Sequence, residues 1–257
     1  MSILSDPMLE ARRLIVAANE AGVRARVIGG VAVALHAPTG LPGPLTRSYG
    51  DIDLVTPRKS GPETVRFLAD MGYEPNERFN AMNAYERLVA YDSEHGRQID
   101  VFVGEFRMCH RLPLAERLDL DRETAPLAEL LLTKLQISRV NRKDLQDIYG
   151  LLVEHDVADQ DEDTINGPYL ARLLADDWGL WRTSRGTVEM AVQHLRDIGL
   201  SAGDESKIRE RLDALWEIVD ATPKSRRWRL RGRVGERVKW YTEPEEVEHG
   251  NPTRLDG

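Results

Sequence analysis

Asp51 and Asp53 stand two residues apart in the run Gly50-Asp51-Ile52-Asp53-Leu54-Val55. Ile52, Leu54 and Val55 favour an extended strand, in which side chains alternate between faces. The two carboxylates then share one face. Held that close, they repel each other unless a cation neutralises them. Hard divalent ions such as Mg²⁺ or Mn²⁺ take oxygen ligands and are commonly bound through carboxylates plus substrate phosphates. A metal beside phosphates points to phosphoryl-type transfer. A third acid lies in Gln98-Ile99-Asp100-Val101-Phe102-Val103, a further apolar strand. The expected metal ligands are therefore Asp51, Asp53 and Asp100, with Asp100 bridging a metal or acting as base on the attacking hydroxyl. Plainer readings stay open. The first pair can belong to a surface strand of alternating charge, and Asp100 can be a strand-edge acid paired with Arg97 or Arg107.

Upstream, Val27-Ile28-Gly29-Gly30-Val31-Ala32 reads as a short strand, Arg26 to Ile28, turning into a helix of small residues from Val31 to Ala37. Glycines there let the backbone approach a ligand closely. The start of the helix offers N–H groups to phosphate. Gly29 and Gly30 are thus candidate nucleotide-binding residues, or only a tight turn. Residues 38–47 carry three prolines and two glycines, a loop that borders the expected site. Downstream, Leu130-Leu131-Leu132-Thr133-Lys134-Leu135 puts a lysine on an apolar helix. Arg142-Lys143-Asp144-Leu145-Gln146-Asp147 puts two acids on one helical face. A helical Asp–Lys pair with a purely structural role is the alternative there.

A Gly-Gly strand–helix turn, an Asp-x-Asp, a lone Asp on a later strand and a Lys-Leu helix followed by Asp-x-x-Asp form an ordered set. Over roughly residues 10–155 the chain resembles the DNA polymerase beta-like nucleotidyltransferase superfamily, and within it the AbiEii/MenT group of toxin-like enzymes. The resemblance implies Mg²⁺-dependent transfer of an NMP group from an NTP to a hydroxyl. It implies that Lys134 contacts the triphosphate and that Asp144 orients Lys134 or the nucleotide. Asp147 does the same or simply pairs with Lys143. The family usually has an Arg and then hydroxyl residues before the acidic strand, where they can hold nucleotide phosphates. Arg47 and Ser48 match that pattern, while Tyr49 stands where threonine is frequent, a departure that bears on nucleotide affinity or base choice. The implied partners are an NTP, an acceptor that is an RNA such as tRNA or a small hydroxylated molecule, and an antitoxin protein. Two other readings stay open: a glycosyltransferase using Asp-x-Asp for a nucleotide sugar, and a catalytically silent relative acting as a binding module.

The elements needed to position these residues follow from periodicity. Helices are expected at Pro7–Gly22, Gly61–Met71, Pro126–Arg139 and Arg142–Glu154, the last capped by Asn141. Asn83–Tyr91 and Arg97–Val103 read as a hairpin. This predicts an α/β (α+β) fold: a short mixed-sheet nucleotidyltransferase core over residues 1–156, then a helical C-terminal region over 157–242 and a polar tail over 243–257. The acidic stretch 156–163 reads as a linker. Helices are expected at 168–177, 185–198 and 204–221, with Trp178, Trp181 and Trp216 as core anchors.

A hydrophobic content of 41% supports a real core. No run approaches the roughly 20 apolar residues of a membrane span, and the first residues lack the features of a signal peptide. The lone Cys109 fits a reducing, cytoplasmic setting, as a small buried residue. His36, on the helix after the glycines, reads as a packed helix residue or as one that faces the nucleotide. The net charge of −8 argues against coating by nucleic acid. A local basic segment nevertheless spans 224–239, with eight Lys or Arg interleaved with Trp228 and Trp240. It reads either as a solvated edge strand or tail, or as a grip for phosphate and bases.

Overall fold

The structure is a computed structural model and describes residues 2–243; the remainder of the expected polar tail lies outside the described residues. Asp6 caps the first helix, α1 (Pro7–Glu20), by accepting the Met8 and Leu9 N–H groups at 2.8 and 3.0 Å. Strand β1 (Arg26–Ile28) runs directly into α2 (Gly29–Leu35). That helix starts two residues earlier than predicted. It stops before Ala37, whose helical conformation Pro38 disfavours. Strand β2 (Asp51–Thr56), helix α3 (Gly61–Asp70) and a two-residue strand β3 (Glu74–Pro75) follow.

Between β3 and the hairpin the sequence reading needs correction. The expected strand from Asn83 is the end of a helix, α4 (Glu77–Asn83), and β4 covers only Arg87–Asp92. Asn76 starts the helix by accepting the Phe79 N–H at 3.1 Å. Asn80 then clips it to β4 through both backbone groups of Val89, at 2.7 and 3.0 Å. Strand β5 (Arg97–Val103) completes a five-stranded mixed sheet, ordered β1-β2-β5-β4-β3. Only β2 and β5 are parallel; the other pairs are antiparallel. Two short strands, β6 (Phe106–Arg107) and β7 (Arg111–Leu112), form a separate hairpin.

Helix α5 (Leu127–Leu135) ends four residues before the predicted Arg139. There the Ile137 carbonyl leaves the helical ladder and accepts the Thr187 hydroxyl at 2.9 Å. Helix α6 (Arg142–Glu154) begins with the expected Asn141 cap. The acidic stretch after it lies between β8 (Val157–Ala158) and β9 (Ile165–Asn166), which pair in parallel. Helices α7 (Gly167–Asp176), α8 (Trp178–His194) and α9 (Ala202–Ala221) fill the C-terminal region. Helix α8 starts seven residues before the expected 185, because Asp177 caps it through the Leu180 N–H at 3.0 Å. Trp178 and Trp216 are buried, and Trp181 is half-buried. The basic segment is mostly a helix, α10 (Arg226–Val234), where an edge strand or tail was expected.

One hydrophobic cluster runs from Ala11 in α1 to Val219 in α9. The C-terminal helices therefore share a core with α5 and α6. The Tyr149 hydroxyl of α6 donates to the Ala191 carbonyl of α8 at 2.6 Å. Helices α5 and α6, which carry Lys134, Asp144 and Asp147, are thus held from behind by the C-terminal region. No helix among the described residues is long and apolar enough to cross a membrane.

Candidate active site

The parallel pairing of β2 and β5 decides the geometry. Asp53 lies opposite Asp100, and Asp51 lies opposite Gln98. On the other face Ile52 pairs with Ile99 and Leu54 with Val101, all buried. The apolar alternation fixes the register, since a one-residue slip would turn every acid into the core. Asp51 is exposed at the strand start, Asp53 is half-buried, and Asp100 is buried.

Asp53 also faces the glycine turn. Ile28 pairs with Asp53 across β1 and β2, and Gly29 follows with φ +71°. A Cβ at Gly29 would sit 2.3 Å from Asp53 Oδ2. A Cβ at Gly30 would sit 1.9 Å from Arg47 Nη2. Gly29 is required by the left-handed backbone and by the close approach of Asp53, while a side chain at Gly30 would displace the Arg47 guanidinium. The turn lets β1 and α2 close over Asp53 and Arg47.

Arg47 reaches the same centre. It donates to both oxygens of Asp147, at 2.9 and 3.0 Å from Nη2, and lies 4.5 Å over the Tyr49 ring. Lys134 Nζ is 2.8 Å from Asp147 and 3.4 Å from Asp144. Asp144 also closes the capping box of α6, accepting the Asn141 N–H at 3.2 Å. Asp147 pairs with Lys134 and Arg47, not with Lys143 as one reading had it. The spacing Lys134, Asp144, Asp147 thus builds one ion network with Arg47. Ser48 is exposed and enters no side-chain hydrogen bond among the described residues. His36 lies outside the centre. Its ring bonds the Thr124 hydroxyl at 2.6 Å and meets His155 edge-on. Cys109 is buried beside the Ser138 hydroxyl.

Sequence reasoning missed two residues. Asp100 pairs neither with Arg97 nor with Arg107. Arg87 on β4 holds its Oδ1 at 2.7 Å, and the Gln98 side chain donates to Oδ2 at 2.7 Å. Arg97 instead binds Asp92, and Arg107 binds Glu86 and Glu105. The signal for Gln98 was its i, i+2 spacing from Asp100. Arg87 had none, because its position depends on the β4–β5 register.

Electrostatics separate two halves of the centre. Burial pushes the Asp53 carboxyl up to about 8, and the charges of Asp51 and Asp100 add to that rise. Lys134 and Arg87 pull the other way and do not cancel it. Burial lowers Lys134, but Asp147 and Asp144 outweigh it, so the ammonium is held above its usual value. One side of the centre is therefore short of positive charge, and the other carries fixed cations. Among the described residues, no three His, Cys, Asp or Glu side chains converge on one point as a finished metal cage. The donor set of Asp51, Asp53 and Asp100 nevertheless suits a hard divalent cation. Its atoms are carboxylate oxygens, it spans two adjacent strands, and its own repulsion is what a cation relieves.

No protein-family model, curated protein or solved structure matches this chain.

Proposed function

We propose that the chain is a metal-dependent nucleotidyltransferase. The observation that carries this reading is the glycine turn closed onto Asp53 while Asp53 faces Asp100 in register. A carboxylate row, a close-approach turn and a cationic wall of Lys134 and Arg47 suit a nucleoside triphosphate and its metal. Mg²⁺ or Mn²⁺ would be held by Asp51, Asp53 and Asp100 and would supply charge neutralisation at the phosphate oxygens. Lys134 and Arg47 bind the phosphates, and Asp147 orients both. In the reaction the acceptor oxygen bonds to the α-phosphorus as the bond to the bridging oxygen breaks. Pyrophosphate leaves with that electron pair, and the hydroxyl proton passes to Asp100 or to solvent.

The test uses each NTP, labelled in turn at the α- or γ-phosphate, with Mg²⁺, total RNA and a panel of small hydroxylated molecules. Label from the α-position on an acceptor, with pyrophosphate released, is expected. Label transferred only from the γ-position means phosphoryl transfer and overturns the reading. A catalytically silent relative that binds a partner protein is the competing account. It is favoured by the hold of Arg87 and Gln98 on Asp100, and it predicts neither NTP binding nor transfer.

A further inference from the structure

Helix α10 carries five arginines and no acid, in a chain of net charge −8. Arg226, Arg227, Arg229 and Arg233 are exposed, as is Arg237 just beyond, and exposed Leu230 lies among them. Positions 226, 229 and 233 follow one another along the outer helix face. Among the described residues none of these five guanidinium groups forms an ion pair. Among the described residues Glu236 is taken by Arg182 and Glu243 by Lys239, while Asp176 and Asp177 line a cavity beside Arg227. Arg226 and Arg227 also stand in the first turn, where the helix dipole disfavours cations.

Beside this row is a cavity of about 260 Å³, lined among others by Trp178, Trp240, Arg227, Arg231, Asp176 and Asp177. Its walls include indole and guanidinium planes. The Arg231 guanidinium lies 4.7 Å from the Trp178 ring centre, and Trp178 meets Trp240 edge-on at 6.0 Å. Arg231 is not available for phosphate, because it donates to the Gly235 and Val238 carbonyls at 2.7 and 2.8 Å. It is a rigid wall, whereas exposed Arg227 forms no ion pair among the described residues. The Trp240 indole N–H donates to the Thr183 hydroxyl at 3.1 Å, and that hydroxyl bonds the His110 ring at 2.8 Å. The His110 backbone N–H donates to Gln136 at 2.8 Å. Gln136 lies two residues beyond Lys134, so the cavity is tied to the end of the helix that serves the candidate centre.

We infer that this face binds an unpaired strand of RNA, with one base in the cavity and the backbone along the outer arginines. Flat indole and guanidinium surfaces stack bases irrespective of sequence. The exposed arginines match the phosphate charge. Asp176 and Asp177 argue against an acidic peptide filling the cavity, since its carboxylates would meet theirs. A base brings N–H donors that these acids accept. The choice of RNA rests on the proposed hydroxyl acceptor, and binding is measured without NTP or metal so that the two readings fail separately.

The experiment is fluorescence anisotropy of the full-length chain with a labelled single-stranded RNA of about 15 nucleotides, titrated at several salt concentrations. The parent is expected to bind single strand more tightly than duplex RNA of the same sequence. The triple variant Arg226→Gln, Arg229→Gln, Arg233→Gln is expected to flatten the logarithmic salt slope by about 2, at about 0.7 per phosphate contact. Trp240→Leu is expected to weaken binding about tenfold. Exposed Arg227→Gln supplies a second lesion at the cavity mouth that cannot be blamed on folding, and circular dichroism melts check each variant. Absence of binding by the parent overturns the inference. So do unchanged affinity and slope in the variants, or polyglutamate or duplex RNA binding as tightly as single strand.

Discussion

Asp92 and Asp53 are two acids of one sheet with opposite surroundings. At the end of β4, buried Asp92 receives Arg97 at 2.7 Å, the His95 N–H at 3.1 Å and the His95 ring at 2.9 Å. Burial raises its pKa, but Arg97 and the two His95 contacts outweigh that and hold it below the usual carboxylate value. In β2, Asp53 has no such donors among the described residues. It meets a second acid two residues away on its strand, a third across the ladder and a glycine turn against its oxygen. Asp92 is surrounded by donors, as Asp100 is by Arg87 and Gln98; Asp53 is left short of them, and on the proposed reading a cation relieves its repulsion.

The largest contrast is in turnover. Asp53→Ala is expected to reduce nucleotidyl transfer by about a thousandfold or more, since charge stabilisation by a metal contributes several kcal/mol. Its folded stability should be equal to or above that of the parent. Activity near the parent's would end the assignment. Asp92→Ala is the mirror case. It strands buried Arg97, and breaking such a pair costs about 3–5 kcal/mol. A drop in Tm of roughly 10 °C is expected by calorimetry, and an unchanged Tm would undo the contrast.

Lys134→Ala comes next. Loss of a charged phosphate contact should weaken NTP binding by about 1.5–3 kcal/mol, measured by titration calorimetry. Mg²⁺ binding alone should change much less. Unchanged NTP affinity would leave Lys134 as the structural partner of Asp147 and Asp144.

The last contrast is a slope with pH. In metal-free buffer, folded Asp53 keeps a proton up to about pH 8 that the unfolded chain has released. Its ionisation therefore removes stability as pH rises from the ordinary carboxylate range to about 8. Asp53→Asn should gain on the parent through that window, by at most about 1.4 kcal/mol per pH unit. Asp92 has the opposite sign. Its contribution is present above its ordinary pKa and is lost as pH falls through its lowered folded value. The deficit of Asp92→Asn should therefore shrink in acid. Denaturant titrations across the pH range read both, and parallel slopes for the two variants would contradict this account.

What could be read in the chain was local. Strand alternation around Ile52 and Leu54 placed Asp51 and Asp53 on one face, and helical spacing placed Asp144 with Asp147. The double glycine was read as a close approach to a ligand, and the side chains it meets are those of Asp53 and Arg47. The unread parts depend on distant residues. Arg47 and Asp147 meet across a separation of 100 residues. Arg87 finds Asp100 only through the β4–β5 register. Helix α4 was hidden because Asn83–Tyr91 carries strand-forming residues, while its cap at Asn76 and its clip at Asn80 lie upstream. In the basic segment, nothing local separates Arg231, pinned to two carbonyls, from its exposed neighbours.

Binding of Mn²⁺ in the presence of a non-hydrolysable NTP, followed by electron paramagnetic resonance, tests the central claim most directly. It is read on the parent, Asp51→Asn/Asp53→Asn and Asp92→Asn. The account predicts bound Mn²⁺ in the parent and in Asp92→Asn, with loss of that signal in the double variant. Equal Mn²⁺ binding by the parent and the double variant would contradict it.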